Sequence, residues 1–261
     1  MEATITSTSN PKIKHLLRLH KASERKANGL FLVEGLKEIQ AAMAGGFQLH
    51  SLYLNSQRES TLATQNTDVP RYYVSEAVYE RISYGVDKEK ILAVFYTKQR
   101  LLEHLELKTE KPLIVVLERV EKPGNLGAIM RTANAAGVDA VIVCDSQTDI
   151  YNPNVIRSSR GAVFTTPLAV ADSSLVHAWL KKRQITIAAA ALTRSAIPYH
   201  TFDFKTPIAI VFGTEAQGLS DFWLSQSDIQ LIIPMQGTAD SLNVSISAAV
   251  ILFEAIRQRN T

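Results

Sequence analysis

From Leu113 onward the chain repeats one pattern: short, nearly unbroken apolar runs separated by stretches in which apolar residues recur three and four positions apart. The runs Leu113–Leu117, Ala140–Cys144, Ile185–Ala190, Ile208–Phe212 and Ile229–Ile233 read as strands covered on both faces, because a half-exposed strand would alternate. Between them, Leu126–Ala136, Pro153–Ser159, Ser173–Lys182 and a short segment after Leu219 read as helices, and Val244–Ile256 as a last helix. Intervals of this length suit right-handed crossovers, so the pattern predicts an α/β fold with a mostly parallel sheet.

Before Leu113 the pattern is more varied. Asn10-Pro11 is a good helix start, and the predicted helix puts Ile13, Leu16 and Leu17 on one face and Lys14, Arg18, Lys21 and Arg25 on another. After Asn28-Gly29 the spacing predicts a strand over Leu30–Val33, a helix over Glu34–Ala44, strands over Ser51–Leu54 and Tyr72–Val74, a helix over Ser75–Ile82 and a strand over Ile91–Tyr96. That is a small α/β unit of its own. The charge-rich residues 98–111, closed by Pro112, are the candidate linker, which divides the chain into 1–97, 98–111 and 112–261.

Composition narrows the function classes. An apolar content of 46% is enough for an ordinary core, and no apolar run approaches the roughly 20 residues that span a bilayer. The N-terminus carries no secretory apolar segment, so a cytoplasmic protein with no membrane partner is expected. The single cysteine, Cys144, excludes an internal disulfide, and six scattered histidines lack ligand spacing, so no metal is expected. The net charge is +3, yet residues 1–30 hold six cations (Lys12, Lys14, Arg18, Lys21, Arg25, Lys26) against two acids. The basic character is therefore N-terminal, as a solvated helix face or a polyanion contact.

Three loops at predicted strand ends are chemically unusual. The first carries Asn125, then Gly127 and Arg131 on one helix face; the second sets Glu215 between Gly213 and Gly218. In the third, residues 236–247 run through eight polar or glycine positions where a core strand passes into a core helix. Ser241 or Asn243 either caps that helix or borders a ligand site beyond the strand ends. Neither a P-loop nor a Gly-x-Gly-x-x-Gly fingerprint occurs, which disfavours an unrelated α/β enzyme with a mononucleotide cofactor.

In order and spacing, Asn125-x-Gly127-x-x-x-Arg131, Gly213-x-Glu215-x-x-Gly218 and Ile233-Pro234-Met235 leading to Ser241-Leu-Asn-Val-Ser245 resemble the three motifs of the SpoU/TrmH family of RNA ribose methyltransferases. Residues 1–96 are similar to the small, ribosomal-protein-like RNA-binding domain that precedes the catalytic domain in many members. The resemblance implies methyl transfer from S-adenosylmethionine to a ribose 2′-hydroxyl of RNA, a trefoil knot in the C-terminal domain, and a homodimer. It implies cofactor contacts at Gly213, Ile233 and Leu242, with Leu192, Thr193 and Met235 nearby. It assigns Arg131 the central catalytic role, with Asn125, Glu215, Ser241 and Asn243 placing the loops and the target. Because a guanidinium is a poor proton acceptor, Arg131 acts either as a perturbed base or as a phosphate clamp that stabilises developing alkoxide. Lys12, Lys14, Arg18, Lys21, Arg25, Arg157 and Arg160 are the expected RNA-binding cations. The N-terminal resemblance points to ribosomal rather than transfer RNA; a transfer-RNA enzyme and an inactive RNA-binding protein on the same scaffold are the alternatives.

Overall fold

The computed structural model describes residues 4–56, 69–85 and 89–261. They form two compact units, Met1–Gln99 with Asp149–Thr165, and Arg100–Thr148 with Thr166–Thr261. The first unit is thus discontinuous in sequence. Two contacts inside it show why: Phe31 stacks on Tyr151 with ring centroids 4.4 Å apart, and Arg25 Nε donates to Asp149 Oδ2 at 2.6 Å.

The first unit begins with α1 (Pro11–Arg18) and α2 (Ala22–Asn28), then β1 (Leu30–Glu34), α3 (Leu36–Ala44), β2 (Leu49–Asn55), β3 (Arg71–Val74), α4 (Glu76–Ile82) and β4 (Ile91–Tyr96). Asn10 caps α1 by accepting from Lys12 N, with Pro11 at the first helical position, as the sequence predicts. The single basic helix expected there is two helices. Ile13, Leu16 and Leu19 are buried, and the chain turns at His20 so that Arg25 can enter the interior and donate Nη1 to the carbonyls of Leu19 and His20. One buried guanidinium thereby satisfies carbonyls freed by the break. The four strands run in the order β1-β4-β2-β3, antiparallel except for β2 with β3. Two helices from the later part of the chain, α6 (Pro153–Ser159) and α7 (Ala162–Thr165), complete the unit.

The second unit holds β5 (Leu113–Glu118), α5 (Pro123–Ala136), β6 (Ala140–Cys144), β7 (Leu168–Ala171), α8 (Ser173–Lys182), β8 (Thr186–Ala190), β9 (Ile197–Pro198), β10 (Ile208–Phe212), α9 (Asp221–Gln226), β11 (Ile229–Ile232) and α10 (Val244–Arg259). Its seven strands lie in the order β7-β6-β5-β10-β8-β11-β9, and every pair is parallel. The five strands read from the sequence form the middle of this sheet; β5, β6 and β10 are wholly buried and β8 nearly so, as doubly covered strands must be, while β11, next to the short edge strand β9, is buried only at Leu231. The two added strands, β7 and β9, are four and two residues long and sit at the edges, where short runs give little periodic signal. Cys144 is buried at the end of β6, and burial pushes its thiol pKa upward, with Asp145 adding to the effect. Among the described residues, no helix is long and apolar enough to cross a membrane.

The strand order reverses direction around β5. From β5 the chain builds outward to β6 and β7, then returns to the other side, where β10 is inserted between β5 and β8. Arg259, near the end of α10, fastens the final helix by donating to the carbonyls of Lys111, Phe204 and Thr206 at 2.6–2.8 Å.

Candidate active site

Beyond the C-terminal ends of β8, β10 and β11 lies a cleft of about 580 Å³, inside the roughly 300–1,000 Å³ span of small-molecule sites. Three chain segments form most of it: Ala190–Thr193, Phe212–Leu219 and the stretch from Leu231 through Met235 to Val244, with Lys122, Leu224, Ser247 and Ile251 completing the lining. All six residues expected around a cofactor, Leu192, Thr193, Gly213, Ile233, Met235 and Leu242, line it. So do Glu215, Ser241 and Asn243.

The loop after β10 is held shut on itself. Thr214 N donates to Gly218 O at 2.8 Å and Gly218 N returns a bond to Thr214 O at 3.1 Å, so the chain reverses within five residues. A Cβ at Gly213 would lie 2.2 Å from both C and O of Gly218, and Gly218 itself has φ +69. Gly213 is required by the close approach of the Gly218 backbone, and Gly218 by its left-handed conformation.

A chain of polar contacts joins the three motif loops. Asn125, at the start of α5, donates Nδ2 to Glu215 Oε1 at 2.5 Å. Asn243 donates Nδ2 to Asn125 Oδ1 at 3.2 Å, while its own Oδ1 accepts from Ser245 N at 2.9 Å. Asn243 is thus the N-cap of α10 and a member of the site at once; Ser241 is exposed and does not cap. Burial pushes the Glu215 carboxyl upward, but donation from Asn125 and from the backbone of Glu215, Glu121 and Lys122 outweighs it and holds the group below the usual carboxylate range.

Glu118 was not a sequence candidate, yet it braces the site. It ends the apolar strand β5, is 1% exposed, and accepts from Ser220 N at 2.8 Å, tying β5 to the start of α9. The signal was available: a carboxylate closing an unbroken apolar run must find a donor. Nearby, Trp223 Nε1 donates to Ser173 Oγ at 3.0 Å, and Ser173 Oγ donates to Asp145 Oδ2 at 2.7 Å. That relay ties α8 and α9 to the end of β6.

Arg131 does not line the cleft. It is exposed on α5, six residues beyond Asn125, hence about 9 Å further along the helix axis. Of the expected RNA-binding cations, Lys12, Lys14, Arg18 and Lys21 are exposed in the first unit. Arg25 is not available to RNA: it is 2% exposed and spent on Asp149 and two carbonyls. Arg157 and Arg160 are exposed, and they belong to the first unit rather than to the sheet that carries the cleft.

The cleft fits S-adenosylmethionine by the chemistry of its lining. Leu192, Leu219, Leu231, Ile233, Met235, Leu242 and Ile251 give apolar walls, the strand-end loops offer backbone groups, and Glu215 provides a carboxylate held ionised.

Comparison with known proteins agrees with this fold. The model of the SpoU rRNA Methylase family matches residues 112–253, and that of the MRM3-like substrate binding domain matches residues 10–93. The chain is 28% identical to the Bacillus subtilis 23S rRNA (guanosine(2553)-2'-O)-methyltransferase RlmP, over 95% of this chain and 97% of that protein. It is 31% identical to the 23S rRNA (uridine(2479)-2'-O)-methyltransferase of Streptomyces viridochromogenes, over 91% and 86%. Among solved structures, an RNA 2'-O ribose methyltransferase superposes with TM-score 0.87 at 38% identity, covering 99% of this chain and all of that one (100%). The SpoU methyltransferase AviRb from Streptomyces viridochromogenes, in complex with the cofactor AdoMet, superposes with TM-score 0.88 at 28% identity, covering 97% and 99%.

Proposed function

Since the chain belongs to the SpoU rRNA methylase family, we propose that it methylates a ribose 2′-hydroxyl of ribosomal RNA, using S-adenosylmethionine held in the cleft beyond β8, β10 and β11. The single observation that carries the reading is the meeting of all three motif loops at that cleft through the Asn243–Asn125–Glu215 contacts.

When bound, S-adenosylmethionine supplies an electrophilic methyl group on a sulfonium. The residues of the chain do the rest. Backbone groups at Gly213, Ile233 and Leu242 hold the cofactor, while Leu192, Thr193 and Met235 exclude water beside it, which protects a methyl donor from hydrolysis. Asn125, pinned between Glu215 and Asn243, fixes the loops against one another, and Ser241 and Asn243 orient the incoming ribose. Arg131 clamps the phosphate next to the target and stabilises the charge that develops on the 2′-oxygen.

Arg131 is exposed and outside the cleft of its own chain, and α10 leaves Ile246 and Phe253 about half exposed at i and i+7, with Val250 half-buried between them. An apolar stripe of that kind is a poor water-facing surface, and a second copy of the chain would cover it. The working form in this reading is a homodimer, with a C-terminal segment wound as a trefoil knot around the cofactor loops. The cytoplasm is its setting. The first unit selects the RNA, presenting Lys12, Lys14, Arg18 and Lys21 to phosphates.

Ribosomal RNA is favoured over transfer RNA because residues 10–93 match a substrate-binding domain and two full-length relatives carry 23S rRNA names. The test is transfer of labelled methyl from S-adenosylmethionine to ribosomal RNA purified from cells lacking the gene, followed by mapping of ribose methylation. One methylated ribose, absent from the mutant cells and restored in vitro, is expected; labelling of transfer RNA alone would overturn the ribosomal assignment.

A further inference from the structure

A second cleft, of about 460 Å³, lies wholly within the first unit. Its floor is apolar, with Leu32, Ile82 and Leu92 all buried. At its edge the rings of His20 and Tyr84 lie nearly parallel, with centroids 5.9 Å and planes 18° apart. Tyr84 nevertheless remains 46% exposed, one of the largest water-facing rings among the described residues. The ring is presented by a rigid backbone: Glu34 accepts from Ser83 Oγ at 2.6 Å, Tyr84 N at 2.8 Å and Gly85 N at 3.0 Å. Burial lowers the His20 pKa, with partial opposition from its bond to the Ile82 carbonyl, so the imidazole beneath that ring stays neutral at physiological pH.

Cations complete the lining. Arg157 lies so close over Gly85 that a Cβ there would stand 3.0 Å from its Nη1. Arg160 is held at φ +53, a conformation arginine seldom adopts, with Nε 3.8 Å from Glu38 Oε1. The three acids of this cleft, Glu34, Glu38 and Glu89, are matched by three cations, Lys37, Arg157 and Arg160, with Glu38 facing Arg160 and Glu34 turned to the Ser83–Gly85 backbone and hydroxyl. A flat exposed ring, an apolar floor and two guanidinium groups together match one unpaired base with its flanking phosphates.

We propose that this cleft anchors an unpaired nucleotide of the RNA substrate, its base stacked on Tyr84 and its phosphates against Arg157 and Arg160, apart from the nucleotide that is methylated. The proposal rests on the RNA-methyltransferase reading for its substrate, and its test separates the two. Single-stranded RNA pentanucleotides, one for each base, are titrated into the full chain while the histidine and tyrosine ring resonances are followed by NMR. The expected result is a shift of the His20 and Tyr84 signals, absent in Tyr84→Ala and retained in Tyr84→Phe. Methyl transfer to ribosomal RNA by Tyr84→Ala should then show KM for RNA raised about tenfold, with kcat and S-adenosylmethionine affinity within about twofold of wild type. Unperturbed ring signals in the wild-type protein, or Tyr84→Ala with an unchanged KM, overturn the anchor. Ring shifts in a wild-type protein that transfers no methyl to RNA would leave the anchor standing and sink the enzymatic reading.

Discussion

Asn125 is where a single side chain decides the arrangement of the site. An ionised carboxylate can only accept, so Glu215 forces the amide nitrogen of Asn125 toward itself, which leaves the Asn125 oxygen to accept from Asn243 and the Asn243 oxygen to cap α10. Asn125→Asp would set a second carboxylate against Glu215 and break the series; methyl transfer should fall about 100-fold while the folded state persists, as labelled-methyl assays and melting curves would show. The Glu215 carboxyl sits below its ordinary value in the folded protein, so its contribution is present above the unfolded value and is lost as pH falls through the folded one. Melting temperatures measured from about pH 3 to pH 7 should therefore drop on the acid side, and Glu215→Gln should flatten that limb; an identical acid limb in the variant would count against the assignment. These side chains were legible in the sequence as types at a spacing. Their donor and acceptor directions were not, because direction depends on which partner across the cleft can only accept.

At the level of elements, two local devices hold the chain where it turns. The loop after β10 closes only because Gly213 has no Cβ to meet the Gly218 backbone at 2.2 Å. Gly213→Ala should lower stability by about 2 kcal/mol and weaken S-adenosylmethionine binding at least tenfold, measured by thermal melting and calorimetric titration. The other device is Arg25, whose guanidinium closes the end of α1 and pairs with Asp149. Arg25→Ala takes the donor from Asp149 Oδ2 and from two carbonyls, leaving Asp149 the Tyr151 N–H on Oδ1, and should cost about 3 kcal/mol in denaturant unfolding. The salt dependence of RNA binding should not change, whereas the pair Lys14→Ala and Lys21→Ala should reduce its logarithmic slope by about 1.5. The basic stripe looked uniform along the sequence because helical periodicity reports angle, and Arg25 shares an angle with the exposed lysines. Only the break at His20 turns it inward.

For the whole molecule, the exposed stripe on α10 and the exposed Arg131 on α5 belong together, since those two helices pack on each other. Phe253→Asp should convert a dimer to a monomer in sedimentation experiments and remove methyl transfer, while S-adenosylmethionine still binds within about tenfold; a dimer that survives the change would place the interface elsewhere. The sequence by itself determined the five central strands, most helices and the parallel character of the sheet, because burial on both faces leaves a direct mark on residue type; six of the residues that line the cleft came from the resemblance of its motifs to a known family. Tertiary structure alone decided the rest. It brought Asp149–Thr165 into the first unit, and with it Arg157 and Arg160, because aromatic packing on Phe31 and the Arg25–Asp149 pair act across more than a hundred residues of chain, where no local pattern reports. It also left Arg131 outside its own cleft, since a motif fixes spacing along a helix but not what that helix faces.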